Sequence, residues 1–229
     1  MESKDLQCSP TWRQMSREID RDFSNGIPFP DILMMNVAIK QRTLDPYKEH
    51  RYRLDRLLWR DDPHPKTIIE LGAGYGAMAT MWPENSVVFN VDLPEMLSIQ
   101  RSYLVNDLGA IELGKDGGIF TGGQLNNGVT IQLIPFTEAD SLPFDNAYFF
   151  SVWALTETNL ETWNYYIERA TWFAGIYAVG WQGWTDIPGK RWPWKKLRSK
   201  FKTVRVDLST YTNCDGEQTS SVELAAVNR

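Results

Sequence analysis

The stretch Thr67-Ile68-Ile69-Glu70-Leu71-Gly72-Ala73-Gly74-Tyr75-Gly76 and the later Val87-Val88-Phe89-Asn90-Val91-Asp92 carry the residues most able to do chemistry. They read as a buried strand, a glycine-rich turn, a helix, and a second strand that ends in an acid. Glycines allow the backbone to turn sharply and approach a ligand closely. An acid at the second strand's end can accept hydrogen bonds from ribose hydroxyls. The pattern therefore suits an adenosine-containing ligand, and two kinds compete: a dinucleotide and S-adenosylmethionine. A glycine fingerprint by itself does not choose between them.

Three features favour the methyl donor. Glu70 stands directly before the loop, where a carboxylate would repel a pyrophosphate but suits a ligand bearing an ammonium and a sulfonium. The tract Ala139-Asp140-Ser141-Leu142-Pro143-Phe144-Asp145 places an aspartate between the third and fourth strands, where it can accept from an adenine amino group. The chain then closes on two strands with no helix between them, 201–208 and 221–227, separated by the turn signal Asn213-Cys214-Asp215-Gly216. These predict a terminal antiparallel hairpin, whereas a dinucleotide domain continues with βα units.

The elements that must position these residues follow from apolar patterning. Short apolar runs predict strands at 67–71, 86–91, 129–134, 147–153 and 175–180, suited to a parallel sheet buried on both faces. Helices are expected at 77–82, 95–104 and 160–172, the last with Trp163, Tyr166 and Ile167 on one face. Gly117-Gly118 and Gly122-Gly123 read as loops. Residues 1–64 form an expected helical cap, with Tyr47, Leu54, Leu57 and Leu58 at helical spacing, ended by Asp62-Pro63-His64-Pro65. Residues 65–229 form the main domain. The expected fold class is α/β: a Rossmann-like, mostly parallel sheet of seven strands with a C-terminal antiparallel hairpin and an N-terminal helical extension.

Glu70-Leu71-Gly72-Ala73-Gly74-Tyr75-Gly76, Asp92-Leu93-Pro94 and Asp140-Ser141-Leu142-Pro143 resemble the motifs of class I S-adenosylmethionine-dependent methyltransferases. Val91-Asp92-Leu93-Pro94-Glu95-Met96-Leu97 with Gln100-Arg101-Ser102-Tyr103-Leu104, and Ala154-Leu155-Thr156-Glu157, resemble more particularly the bacterial sugar O-methyltransferases. The resemblance implies that Glu70, Gly72 and Gly74, with Ala73 and Tyr75 in the same loop, line the methionine part of the cofactor. It implies that Asp92 binds the ribose, that Leu93 packs on the adenine, and that Asp140, with Ser141 beside it, reads the adenine amino group. Trp153 and Ala154 are implied to lie beneath the transferring methyl group, with a plain core aromatic as the competing reading of Trp153.

Methyl transfer to an alcohol needs alignment of the acceptor and removal of its proton. Glu157, after the fourth strand, is the first candidate base; against it stands a plain helix-start carboxylate, with Thr156 or Thr158 as cap. Asp186 is the second candidate. His50 is the third, should the N-terminal extension fold over the site as a lid. His64 precedes the first strand and is expected at the wrong edge of the sheet. Trp181 and Trp184 flank the same mouth and suit stacking on a sugar ring. The acids show no spacing that identifies a metal site.

The chain has 229 residues and a formal net charge of −5, which disfavours electrostatic binding of nucleic acid by the molecule as a whole. Cys8 and Cys214 form no disulfide framework, and the charged N-terminus has no apolar signal core, so a cytoplasmic setting without a membrane span is expected. The basic run from Lys190 to Lys202 stands out in an acidic chain; it reads as a solvated helix face or as a phosphate contact. The expected activity is O-methylation of a small hydroxyl-bearing acceptor, a sugar or phosphate-bearing molecule. The rivals are methylation of RNA or protein through the basic run, and a non-catalytic cofactor-binding domain.

Overall fold

The computed structural model describes residues 64–114, 122–152, 154–181, 192–212 and 218–227. The expected helical cap over 1–64 therefore lies almost wholly outside the described residues. One sheet organises the rest. Its strands are β1 (Thr67–Leu71), β2 (Val87–Asp92), β3 (Ile111–Leu113), β4 (Gly122–Gln124), β5 (Thr130–Pro135), β6 (Tyr148–Val152), β7 (Gly175–Trp181), β8 (Thr203–Thr212) and β9 (Gln218–Val227). Their order across the sheet is β3-β4-β5-β2-β1-β6-β7-β9-β8.

The five central strands, β5, β2, β1, β6 and β7, are parallel, and β9 and β8 close the edge as an antiparallel hairpin. These are the seven strands expected. The sheet has nine because β3 and β4 add a short antiparallel pair outside β5. Gly122 and Gly123, read as a loop, belong to β4. A side chain at Gly122 would meet the Ile131 carbonyl oxygen at 2.1 Å, and one at Gly123 would meet the Ala110 Cβ at 3.0 Å. The glycines are there because β4 runs too close to its neighbours for a Cβ, a role that leaves no apolar pattern to read.

Side chains alternate across the sheet, and each face is buried. Ile69, Leu71, Val91 and Phe149 pack on one side against Trp163 and Tyr166 of α3 (Leu160–Glu168) and Leu197 of α4 (Trp194–Lys200). Phe149 stacks on Phe173 with centroids 5.0 Å apart. Ile68, Val88, Ile131 and Phe150 pack on the other side against Met78 and Trp82, and against Leu97 of α1 (Pro94–Ser102). The result is a three-layer α/β arrangement in which every central strand is covered on both faces.

Several expected helices are shorter. Residues Ala77–Met81 wind as a 3-10 helix, and α1 passes into a π turn at Tyr103–Asp107. The helix expected over 160–172 stops at Glu168. Arg169 ends it: its Nη1 donates to the Tyr165 carbonyl at 2.8 Å while its guanidinium lies over the Tyr165 ring, 3.7 Å from the centroid. The cap at the start of α3 is Asn159, whose Oδ1 accepts the Thr162 amide at 2.8 Å, and not Thr156 or Thr158. The Thr158 hydroxyl instead donates backwards to the Leu155 carbonyl.

Candidate functional site

The loop after β1 and the end of β2 meet at the C-terminal edge of the parallel strands, the edge at which open α/β sheets hold ligands. Gly72, Gly74 and Gly76 all have positive φ, at 71°, 60° and 90°. The Gly72 amide donates to the Val91 carbonyl at 2.9 Å, which ties the loop to β2. A Cβ on Gly72 would lie 2.1 Å from the Cβ of Ala154, at the start of the short helix α2 (Ala154–Glu157). The loop after β1 and the element after β6 therefore touch backbone to side chain. β1 and β6 are also where the strand order reverses direction.

One sheet face becomes polar as it nears this edge. In β1 it runs Ile68, Glu70; in β2 it runs Val88, Asn90, Asp92, with Glu70 and Asn90 as direct register partners. Glu70 is 3% exposed. Burial, then the negative charge of Asp92, pushes its carboxyl up to about 8, partly offset by the Trp82 indole N–H. Its Oε2 is buried with no hydrogen-bond partner among the described residues. Burial also raises Asp92, to about 6, against the lowering effect of donors from the Leu93 and Gly74 amides and the Gln100 side chain. Asp92 Oδ1 accepts the Leu93 amide at 2.9 Å, at the start of α1.

The other residues singled out fall in several places. Leu93 is 55% exposed, next to Asp92. Ala73 is buried, and the Tyr75 side chain is turned into a small cluster with Ile99 and Tyr103, its ring edge-on to Tyr103 at 5.2 Å. Asp140 and Ser141 lie in the 3-10 helix Phe136–Ser141, which leaves β5 beside Asp92, since Pro135 is the register partner of Asp92. Asp140 is on the side of that segment toward α3. Its carboxylate is 84% exposed and 3.9 Å from Arg169 Nη2. The Ser141 hydroxyl donates to the Glu138 carbonyl at 2.8 Å.

Glu157 ends α2, and Trp181 ends β7, both on the same edge as Gly72 and Asp92. His50, Trp153, Trp184 and Asp186 lie outside the described residues. His64 is exposed at the N-terminal edge, ahead of β1, as expected. Among the described residues no group of three or more metal-type ligands is found, and no helix is long and apolar enough to cross a membrane.

Residue-by-residue reading missed Gln100. It is fully buried, and its Nε2 donates to the Gly74 carbonyl at 2.9 Å and to Asp92 Oδ2 at 3.0 Å. Asn90 Nδ2 donates to its Oε1 at 3.1 Å. The signal was there: Gln100 lies three residues from Leu97 and four from Leu104, on the buried side of α1, where a polar residue needs partners.

No protein-family model matches the chain, and no curated protein matches it. Solved structures do. The Thermoplasma acidophilum protein 1320 superposes with a TM-score of 0.51 at 12% identity, over 88% of this chain and 98% of that one. A candidate O-methyltransferase from Klebsiella pneumoniae gives 0.48 at 15% identity, over 95% and 99%. The magnesium protoporphyrin IX methyltransferase of Synechocystis, with S-adenosylhomocysteine bound, gives 0.45 at 13% identity, over 77% and 83%. At 12% identity the likeness to the Thermoplasma protein speaks for the fold alone, and the function has to be argued from the chain's own residues.

Proposed function

We propose that this protein is an S-adenosylmethionine-dependent methyltransferase that methylates a hydroxyl group of a small acceptor, a sugar or glycan precursor. The observation that carries the reading is the pairing of a glycine loop with two carboxyl groups, Glu70 beneath it and Asp92 beside it. Two acids at this position oppose a pyrophosphate and favour a ligand that brings positive charge. The unpartnered Oε2 of Glu70 and the three left-handed glycines fit such a ligand.

Bound there, S-adenosylmethionine would supply a methyl carbon activated by its sulfonium. The chain's own tasks are then to bind, to orient and to take a proton. Asp92 accepts the ribose hydroxyls. Leu93 would offer an apolar face to the adenine, with Asp140, in the segment that begins at Phe136, as the proposed reader of its amino group. Gly72 and Gly74 let the backbone come close to the methionine portion, and Ala154 packs behind Gly72. Glu157 is assigned as the base that would take the proton of the acceptor hydroxyl, leaving that hydroxyl's oxygen to receive the methyl group the cofactor would supply. Trp181, with Trp184, is assigned to stack on the acceptor, and Asp186 and His50 are the alternative bases.

The basic run supports acceptor binding less well. The C-terminus of α4 leads into β8, whose first residue, Thr203, pairs with Val227, which in turn pairs with Gly175 at the start of β7. Lys200 and Lys202 therefore lie at the opposite edge from Gly72 and Asp92. That placement favours a small acceptor over RNA held by this run.

The test is methyl transfer from labelled S-adenosylmethionine to a panel of sugars, nucleotide sugars and RNA. Label should enter a sugar-bearing acceptor, and Glu157→Gln should lower turnover at least a hundredfold with little change in cofactor affinity. Labelling of RNA alone would overturn the acceptor assignment. Unchanged turnover in Glu157→Gln would remove Glu157 as the base.

A further inference from the structure

The buried amide of Gln100 joins the two parts of the site that a nucleoside must touch together. A glutamine amide has two donor protons and one acceptor oxygen. Here Nε2 gives to the Gly74 carbonyl at 2.9 Å and to Asp92 Oδ2 at 3.0 Å, and Oε1 receives from Asn90 Nδ2 at 3.1 Å. The orientation of the amide is forced. Turned over, it would set its oxygen against two further acceptors and its NH2 group against a donor. The helix that carries Gln100 is itself registered on Asp92 through the Leu93 amide.

Asp92 is thus gripped at both oxygens, Oδ1 by the start of α1 and Oδ2 by its last turn. The loop is gripped by the same atom that grips Oδ2. Behind Gln100 the contacts continue to Asn90, whose Oδ1 is buried without a partner among the described residues, beside Glu70 on the neighbouring strand. The dipoles of the two amides point the same way, toward the acid and the loop, so each strengthens the next.

Resting on the reading of this site as a nucleoside pocket, we propose that Gln100 is a positioning residue: its one amide sets the distance between the ribose acid Asp92 and the Gly74 turn, and so determines recognition of the ribose hydroxyls. Gln100 does not touch the ligand. It acts by holding Asp92 in the rotamer that presents its carboxylate to a diol.

The test uses binding and does not depend on turnover. Affinities for S-adenosylhomocysteine, adenosine and 2′,3′-dideoxyadenosine are measured for the parent protein, Gln100→Met and Gln100→Glu, with the ligand-free thermal midpoint of each. Gln100→Met keeps the length of the side chain and removes its hydrogen bonds. Gln100→Glu keeps the acceptor toward Asn90 and has at most one O–H in place of the two amide donors, so it cannot hold Asp92 and the Gly74 carbonyl together, and it carries the test if Gln100→Met fails to fold. The parent should bind adenosine better than the dideoxy compound. Each folded variant should bind S-adenosylhomocysteine about tenfold more weakly and lose the preference for the ribose diol. A variant that keeps that preference, or weakens for both nucleosides equally, overturns the proposal, because a role in packing alone predicts equal loss. Failure of the parent to bind S-adenosylhomocysteine overturns instead the reading of the site on which the proposal rests.

Discussion

Two carboxyl groups set the character of the site, and both hold their protons more tightly in the fold than in the unfolded chain. Glu70 is pushed up to about 8 and Asp92 to about 6, in each case chiefly by burial. Across the window from ordinary carboxyl values near 4 up to about 8, the folded protein therefore binds more protons than the unfolded one. Its ligand-free stability falls as pH rises through that window. Glu70 dominates the upper part, so Glu70→Gln should flatten the decline between about pH 6 and 8 in thermal unfolding; an unchanged slope would show that Glu70 is not its source. A cationic ligand acts in the opposite direction, since it favours the ionised carboxylate. S-adenosylmethionine binding near pH 7 should then release protons, read by calorimetry in buffers of different ionisation enthalpy, and release should shrink in Glu70→Gln. Absence of release from the parent would show that Glu70 keeps its proton in the complex.

At the scale of elements, the contact between Gly72 and Ala154 fixes how closely the loop after β1 approaches α2. Gly72→Ala combines a left-handed φ of 71° with a Cβ 2.1 Å from another Cβ. It should destabilise the protein by about 2–4 kcal/mol. Ala154→Gly in the same chain removes the clash and leaves the backbone strain, so the double variant should recover roughly half of that loss. Equal stability of the single and double variants would mean that the loop simply moves away. The strands of the central sheet were legible from sequence because a strand buried on both faces writes a short apolar run, as in residues 147–150 and 176–179, while 129–134 alternates apolar with polar residues as a strand does. β3 and β4 were not, because three-residue strands built partly of glycine carry no such run. The end of α3 was hidden for another reason. Arg169 ends the helix through a stack on Tyr165, and that tertiary contact leaves the helical spacing of the sequence intact. Within the site, Glu70, Gly72 and Asp92 announced themselves by residue type, whereas Gln100 matters through what it touches.

Over the whole molecule, the C-terminal end of the basic α4 lies at the sheet edge opposite Gly72 and Asp92. Lys195, Lys196, Arg198 and Lys200 are all exposed. Replacing these four by glutamine should leave the affinity for S-adenosylhomocysteine within about twofold and cost less than about 0.5 kcal/mol per substitution. If the same change abolished methyl transfer to an acceptor while sparing cofactor affinity, the acceptor would be an extended polyanion that reaches from one edge of the sheet to the other. The nine-stranded sheet itself is a platform, and the proposed site gathers at the loops where β1, β2, β5, β6 and β7 end.

The claim on which the rest depends is that Asp92, at the end of β2, holds the ribose of S-adenosylmethionine. Titration of S-adenosylhomocysteine into the parent protein and into Asp92→Ala measures it directly. One ligand should bind per chain, with affinity reduced at least tenfold in Asp92→Ala while the variant stays folded. Equal affinity of the two proteins, or no binding by the parent, would contradict it.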